Sequence, residues 1–474
     1  MRRLFVLRIL IFLLSFGCAN HIFAYTIHCP HSKEYAAVMV YDNGREVYEQ
    51  LLKFIDAAEH YVELCPCMTG GALLEEILEH LDKRLQEVEQ LTSYMIIQPT
   101  LIDLQDKKLL SDMRAKWGSR FSYVFTGCPP SSNILAPNVI EMHVKLSIFD
   151  GKYIIIGGTN FEDFMCTPGD KIPEEVESSR LMIGGVKRPL AFRDQDIAVA
   201  SPILGLELRK EFHAHYKLWS AYEKHLWFNK NIQDFRNDEL PPLSIEEAET
   251  SYCSAFEDNN DLIFVDLSNI RVIFSGPDEQ VNSITREYRR LIDEAKHDLR
   301  IAQMYFLPKE EIISGLINAC YHRGVSLQVV TNGCTDRSPS ITGVYAWGNR
   351  MNYFPLYYGE RPPLWKKMIF YNRQPNPHVQ IHEFYIPDTQ FHKKCMIADD
   401  VFVIGSYNFG RKSDICDYES IMVIESPEVV RRAIKVFDKD KTLSTQVQPR
   451  DSLDWYFHPV HHVVGHLQIN FMPA

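Results

Sequence analysis

Two histidines, His143 and His392, each stand two residues before a lysine, Lys145 and Lys394, and seven before an aspartate, Asp150 and Asp399. Each aspartate leads into a hydrophobic run that ends Gly157-Gly158-Thr159-Asn160 in one case and Gly405-Ser406-Tyr407-Asn408 in the other. One His-x-Lys pair says little, because most such pairs are surface residues. Two, each followed by the same Gly-x-x-Asn, point to a chemistry. A phosphodiester repels nucleophiles by its own negative charge, and Lys145, Lys394, Asn160 and Asn408 can offset that charge and hydrogen-bond the phosphoryl oxygens. One imidazole can then attack phosphorus and become a phosphohistidine, while the other protonates the departing alkoxide and later activates the acceptor. The scheme needs neither a metal nor another cofactor, and duplication supplies both roles.

These side chains must be carried by elements that also repeat. Alternation from Val139 to Asp150 predicts a strand with His143 and Lys145 on one face, turning at Gly151-Lys152 into a second strand, Tyr153 to Ile156. Val401 to Ile404 is the corresponding second strand of the other copy. Upstream, the amphipathic stretch Phe54–His60 is echoed by Leu291–His297, each running into a strand (Tyr61–Leu64, Leu299–Phe306), a helix (Gly71–Glu87, Lys309–His322) and a further strand (Met95–Gln98, Ser326–Thr331). Strand, helix, strand in both halves predicts an α/β fold of two similar lobes, each a mixed β-sheet flanked by helices. The motifs are further apart than the repeated helices, so the second half carries a net insertion, assigned to Cys334–Pro387.

The paired motifs resemble those of the phospholipase D superfamily, and within it the bacterial cardiolipin synthase and phospholipase-D-like branch. Phe192-Arg193-Asp194-Gln195-Asp196, Ser275-Gly276-Pro277-Asp278, Met304-Tyr305-Phe306-Leu307-Pro308 and Ile424-Glu425-Ser426-Pro427 extend the resemblance across both halves. It implies lobes related by a pseudo-twofold with one shared active site, His143 as nucleophile and His392 as general acid, although the symmetry of the sequence itself does not choose. It also implies an acid after each motif that orients an imidazole, a role Asp196 and Glu419 fit. Asp150 and Asp399, at strand ends, are expected to brace the motifs. Two departures stand out: Gly158 occupies the place of Ser406, and the Asp-to-Asn interval is one residue shorter in the second copy. The longer stretch from Asn160 to Asp196 is a candidate lid.

Composition sets the frame. With 46% hydrophobic and 24% charged residues the chain is globular, and its net charge of −12 disfavours nucleic acid as partner. Arg2-Arg3 followed by the apolar Leu4–Phe16 reads as an export signal or anchor over 1–24, which predicts an exported protein, membrane-associated, periplasmic or secreted. The divisions expected are a first lobe at 25–236, an acidic linker at 237–262 containing Pro241-Pro242, a second lobe at 263–445 and a tail at 446–474. Ten cysteines beyond Cys18 permit disulfides, while Cys65-Pro66-Cys67 reads as buried thiols at a strand end. Glu174-Glu175-Val176-Glu177 reads as a solvated loop. Pro459 and Gly465 are expected to break any helix carrying His458, His461, His462 and His466. Aromatic and basic residues interleave from Tyr345 to Tyr371, as in a membrane-surface site, a stacking platform for nucleic acid, or a packed helix with a decorated loop.

The function expected is phosphatidyl transfer or hydrolysis on a phospholipid at a membrane surface, with an alcohol or water as acceptor. The alternatives are an exported nuclease using the same site and a non-catalytic membrane-associated interaction protein, against which both intact motifs argue.

Overall fold

The computed structural model describes residues 25–126, 141–170, 182–183, 186–187, 191–225, 242–277, 279–333, 343–387 and 389–471. The leader at 1–24, the first residues of the expected motif strand (139–140), part of the candidate lid (171–181, 184–185 and 188–190, with Glu174–Glu177), the start of the linker, Asp278 and Cys334 lie outside the described residues.

The first half runs β1 (Thr26–His28), β2 (Tyr35–Val40), α1 (Gly44–Ala57), β3 (Tyr61–Gly70), α2 (Gly71–Glu87), β4 (Thr92–Gln98), α3 (Leu104–Trp117), β5 (Phe121–Phe125), β6 (Leu146–Phe149), β7 (Tyr153–Gly157), β8 (Asp196–Ala200) and α4 (Pro202–His225). The second half repeats the order as β9 (Ile263–Asp266), β10 (Ile270–Ser275), α5 (Ser283–Glu294), β11 (Asp298–Gln303), α6 (Glu310–Ile317), β12 (Ser326–Asn332), α7 (Gly343–Tyr358), β13 (Val379–Phe384), β14 (Lys394–Ala398), β15 (Val401–Gly405), β16 (Glu419–Glu425) and α8 (Pro427–Thr442). Then come β17 (Ser444–Gln446), α9 (Pro449–Tyr456) and α10 (Pro459–Phe471). Local chemistry explains the boundaries. Asn43 caps α1 by accepting from the N–H groups of Arg45 and Glu46, and Val47, Leu51, Phe54 and Ile55 form its buried stripe. Ser426 caps α8, with Pro427 at the first helical position.

The strands form two large mixed sheets with matching orders, β9-β2-β8-β7-β6-β3-β4-β5 and β1-β10-β16-β15-β14-β11-β12-β13-β17. The match includes an exchange: β1 precedes β2 in the chain but pairs with β10, while β9 precedes β10 but pairs with β2. Each lobe thus lends its first strand to the other's sheet edge, an arrangement that respects a pseudo-twofold and covers an otherwise open edge. The expected lobe boundaries at 25 and 263 therefore do not coincide with sheet membership. β7 and β15 meet across the interface, and a single apolar cluster containing Ile154, Ile156, Ile404 and Met422 spans both lobes. Burial on both faces is why these central strands are continuous apolar runs rather than alternating ones. Arg193 adds an ionic tie, fully buried and bonded to Asp42 (2.5 Å) and, in the second lobe, Asp440 (2.8 Å). Losing one partner of such a group typically costs about 3–5 kcal/mol.

Three expectations need correction. The motif strand is shorter than 139–150: β6 begins at Leu146, and the backbone around His143 instead bonds to Tyr418 of the other lobe. The acidic linker is structured beyond Pro242, with short helices at Ile245–Thr250 and Ser254–Glu257; Cys253 and Phe256 are buried against the first lobe, and Lys152 pairs with Glu257 at 2.7 Å. The C-terminal segment is helical through its proline and glycine. Pro459 starts α10, where a missing N–H is harmless, and Gly465 lies against α7, where a Cβ would sit 2.3 Å from Met351 Cγ and 2.8 Å from the Trp347 carbonyl. Among the described residues eight cysteines are free, including the buried Cys65 and Cys67, and no helix is long and apolar enough to cross a membrane.

Candidate active site

Each motif hairpin is locked from beneath by its aspartate. Asp150 and Asp399 sit at the hairpin turns with φ of 50° and 48°, a left-handed conformation that aspartate tolerates better than most residues. The Asp150 carboxylate accepts from the N–H groups of Glu59, His60 and Tyr61 at 2.7–2.8 Å, and Asp399 from Lys296, His297 and Asp298 at 2.7–3.0 Å. Each therefore ties its hairpin to the end of the preceding helix, α1 or α5. Both face away from the imidazole chemistry. The one-residue difference between the motifs is absorbed here: β6 and β7 are joined by Asp150-Gly151-Lys152, β14 and β15 by Asp399-Asp400. Beyond the turns the strands are in step, so Asn160 and Asn408 follow Gly157 and Gly405 at equivalent positions.

The histidines are oriented from across the lobe interface. His143 Nδ1 lies 2.9 Å from the Glu419 carboxylate, and its backbone N–H donates to the Tyr418 carbonyl at 2.9 Å. His392 mirrors this: Nδ1 is 2.5 Å from Asp194 and its N–H donates to the Arg193 carbonyl at 2.8 Å. The acid on His392 is Asp194, two residues before the Asp196 that the family resemblance indicates. Sheet register explains the difference. Gly157 pairs with Asp196, whereas Gly405, its counterpart, pairs with Ile421; stepping back two residues on each strand makes Asp194 the equivalent of Glu419. Asp196 instead accepts from the N–H (3.1 Å) and hydroxyl of Thr159.

Gly158 fits the same geometry. Ser406 bonds to the Glu419 carboxylate and accepts from the Ser420 N–H at 3.0 Å. At position 158 a Cβ would lie 2.2 Å from Asp194 Oδ1, so the orienting acid fills the space that a serine side chain would need. That glycine, together with the Asp-Gln-Asp sequence around Gln195, is the signal in the sequence that points to Asp194.

Burial governs the charges. His143 and His392, 7% and 5% exposed, are both disfavoured as imidazolium: burial and then Lys145 pull His143 well below its ordinary value, and burial and then Lys394 bring His392 down to about 4. Both are neutral at pH 7. Their acids differ. Burial pushes Glu419 up to about 7 despite Lys145, and pushes Asp196, beside Asp194, to about 7. Burial also opposes charge on Asp194, but His392, Lys394 and the Gln195 N–H together hold the pKa below the usual carboxylate range. Lys145 Nζ donates to the His143 carbonyl at 3.0 Å and Lys394 Nζ to the His392 carbonyl at 2.5 Å, so each ammonium is tethered beside its own imidazole. Lys394 is brought down to about 7, chiefly by burial. Lys394 also weighs on His143, and Lys145 on His392, so the charges of the two motifs act on one another. Asn160 accepts from the Met68 N–H at 3.3 Å and keeps a buried amide N–H₂ without a partner among the described residues, a donor available to a phosphoryl oxygen. The buried amide oxygen of Asn408 likewise has no such partner.

Among the described residues, His143, Asp417 and Glu419 are the group whose ligand atoms lie close enough, within 4.8 Å, to hold a metal. Glu419 is already committed to His143 and Ser406, and Asp417 pairs with Lys412 at 3.2 Å. The cluster positions His143.

Comparison with known proteins agrees with this architecture. Residues 288–441, which include the whole second motif, match the family model "Cardiolipin synthase, PLD-like domain". Two curated proteins named Cardiolipin synthase A, from Buchnera aphidicola subsp. Acyrthosiphon pisum strains Tuc7 and 5A, are each 23% identical over 173 residues, 36% of this chain. The match spans 30% of those relatives' length. Among solved structures, the phosphatidylserine synthase of Haemophilus influenzae Rd KW20 shares the fold end to end: the TM-score is 0.57 at 12% identity, covering 96% of this chain and 95% of the other.

Proposed function

We propose that this protein, similar to the phospholipase D superfamily in its second-lobe sequence and in the fold of the whole chain, transfers the phosphatidyl group of a phospholipid through a phosphohistidine. The observation that carries the reading is the reciprocal pairing of His143 with Glu419 and of His392 with Asp194, since it fixes both imidazoles by Nδ1 and leaves both Nε2 atoms for chemistry. The different acids support different roles. Asp194, held ionised, favours a proton on His392, as a general acid requires; Glu419, raised to about 7, gives less support to charge on His143 and suits a neutral nucleophile.

In the proposed cycle an anionic phosphodiester enters between Lys145 and Lys394. Its charge offsets the lysines that add to burial in disfavouring imidazolium, so His392 gains its proton as substrate binds. His143 Nε2 attacks phosphorus, the P–O bond to the leaving alcohol breaks, and that alkoxide takes the proton from His392. An acceptor hydroxyl then gives its proton to neutral His392 and attacks phosphorus, breaking the P–N bond and restoring His143. Lys145, Lys394 and Asn160 serve the charge that accumulates on the phosphoryl oxygens.

Two measurements test this reading. Purified protein incubated with phospholipid and, separately, glycerol, phosphatidylglycerol or water alone is expected to exchange headgroup for the added alcohol; release of phosphatidic acid at an unchanged rate with every acceptor would instead make it a hydrolase. Turnover of nucleic acid with none of lipid would favour the nuclease. The pH profile gives the second. Glu419 must lose its proton to accept from His143, and Lys394 must keep its proton to carry charge, so kcat/KM is expected to rise towards pH about 7 and fall above it. Lys394→Arg should lower the peak but move the falling limb up by about two pH units or more, because guanidinium does not titrate there. An unmoved limb would assign it to another group.

A further inference from the structure

The aromatic and basic stretch from Tyr345 to Tyr371 divides into two parts with opposite surroundings. Its first part lies on α7, where Tyr353, Phe354, Tyr357 and Tyr358 are buried core. Its second part, a 3₁₀ turn at Leu364–Lys366 continuing into a short helix at Lys367–Phe370, turns its large apolar side chains outward: Trp365 is 75% exposed, Met368 76% and Ile369 62%, with Leu364 and Tyr371 beside them also exposed. This segment is firmly seated. Phe370 is buried against Phe354 at 5.2 Å and Phe457 at 6.0 Å, which fixes one side of the turn in the core and leaves the opposite side in solvent. The segment is also part of the insertion that distinguishes the lobes, since in the first lobe α3 passes through Gly118–Arg120 directly into β5.

Lone exposed apolar residues are unremarkable, but a rigid cluster of this size in a few residues is not. On its rim Lys367 is paired with Asp454 and Arg373 with Glu360, and two further cations stand beside these pairs although the chain is acidic overall. Lys366 lies 5.4 Å from the Trp365 ring and Arg450 lies 5.0 Å from the Tyr371 ring, and neither has a carboxylate partner among the described residues. Aromatic and aliphatic side chains over a cationic rim match the headgroup boundary of a bilayer, where the apolar groups enter the acyl region and the cations meet phosphate. Met368 and Ile369 have no flat face on which bases stack, which favours lipid over single-stranded nucleic acid.

We propose that the Leu364–Tyr371 turn docks the protein on an anionic phospholipid bilayer, inserting Trp365, Met368 and Ile369 with Lys366 and Arg450 at the phosphates. This rests on the lipid reading of the active site, but its test does not depend on turnover. The full chain and a Trp365→Ser/Met368→Ser/Ile369→Ser variant would be compared for co-sedimentation with phosphatidylcholine vesicles with and without phosphatidylglycerol. The native protein is expected to bind the anionic vesicles, more weakly as salt rises, and the variant to bind at least about tenfold less. Turnover of a soluble short-chain phospholipid should be the same in both, because the substituted side chains are solvent-exposed and outside the site; turnover of vesicle lipid should fall with binding. Equal vesicle binding by the two proteins overturns the proposal, as does a variant that loses binding to a single-stranded oligonucleotide but not to vesicles. Failure to turn over the short-chain lipid, with vesicle binding and its loss intact, counts against the active-site reading alone.

Discussion

Alanine at either His143 or His392 is expected to reduce phospholipid turnover by about 10³-fold or more, because a nucleophile and a general acid are each removed from a reaction that water performs poorly. The two losses should be distinguishable. A leaving group that departs without a proton, such as a nitrophenolate, makes the acid dispensable in the first step. His392→Ala should therefore recover most of its deficit in the first step on a nitrophenyl phosphodiester, read as a burst of nitrophenolate, while still resolving the intermediate slowly. Such a variant should accumulate a covalent phosphoryl-enzyme at His143, visible as an added mass that is stable to base and lost in acid. His143→Ala should recover nothing and accumulate nothing. If the behaviours were reversed, the roles would be exchanged, as the near-symmetry of the site allows; if either variant kept the native rate on phospholipid, the proposed reaction centre would be wrong. Both substitutions remove a hydrogen bond to an acid of the opposite lobe, so circular dichroism and melting temperature are needed beside the rates. Because the two groups act in one sequence of steps, the double variant should be little worse than the poorer single variant.

Much of this arrangement is legible in the sequence, for identifiable reasons. Paired hairpins and their helices announce themselves through local periodicity, and α2 falls on Gly71–Glu87 as the spacing of its apolar residues predicts. Features set by long-range register are not legible in the same way. The exchange of β1 and β9 joins residues such as Ile27 and Val272, and edge strands of three or four residues carry too little pattern to declare a partner. The motif segment reads as a longer strand because His143-Val144-Lys145-Leu146 alternates, yet the first of these residues give their backbone to the opposite lobe. α10 is hidden because Pro459 resembles an interior breaker although it begins the helix, and because Gly465, another apparent breaker, is the close-packing point against α7. In each case the local rule is sound and a tertiary contact decides the outcome.

The identity of the acid on His392 gives the second large expected effect. In Asp194-Gln195-Asp196 both carboxylates are buried and two residues apart, and only the glycine at position 158 marks one of them out; geometry gives the bond with His392 to Asp194 and leaves Asp196 to Thr159. Asp194→Asn keeps the shape but removes the charge that favours imidazolium, and is expected to lower kcat by about a hundredfold or more. Asp196→Asn should be far milder, within about tenfold, because Asp196, raised to about 7 by burial and then by Asp194, already carries a proton for much of the time near neutrality. The short-chain substrate and the nitrophenyl diester sharpen the contrast: loss in Asp194→Asn should shrink on the diester, where no proton is needed, whereas damage from misfolding would persist. Gly158→Ala provides an independent route to the same group. Its Cβ would meet Asp194 Oδ1 at 2.2 Å, so either the carboxylate or the strand must move, and the variant should reproduce the rate defect of Asp194→Asn without touching a titratable residue. Comparable losses in Asp194→Asn and Gly158→Ala, with Asp196→Asn near native, would assign the second imidazole's acid; a larger loss at Asp196 than at Asp194 would return that role to the residue that the family resemblance indicates.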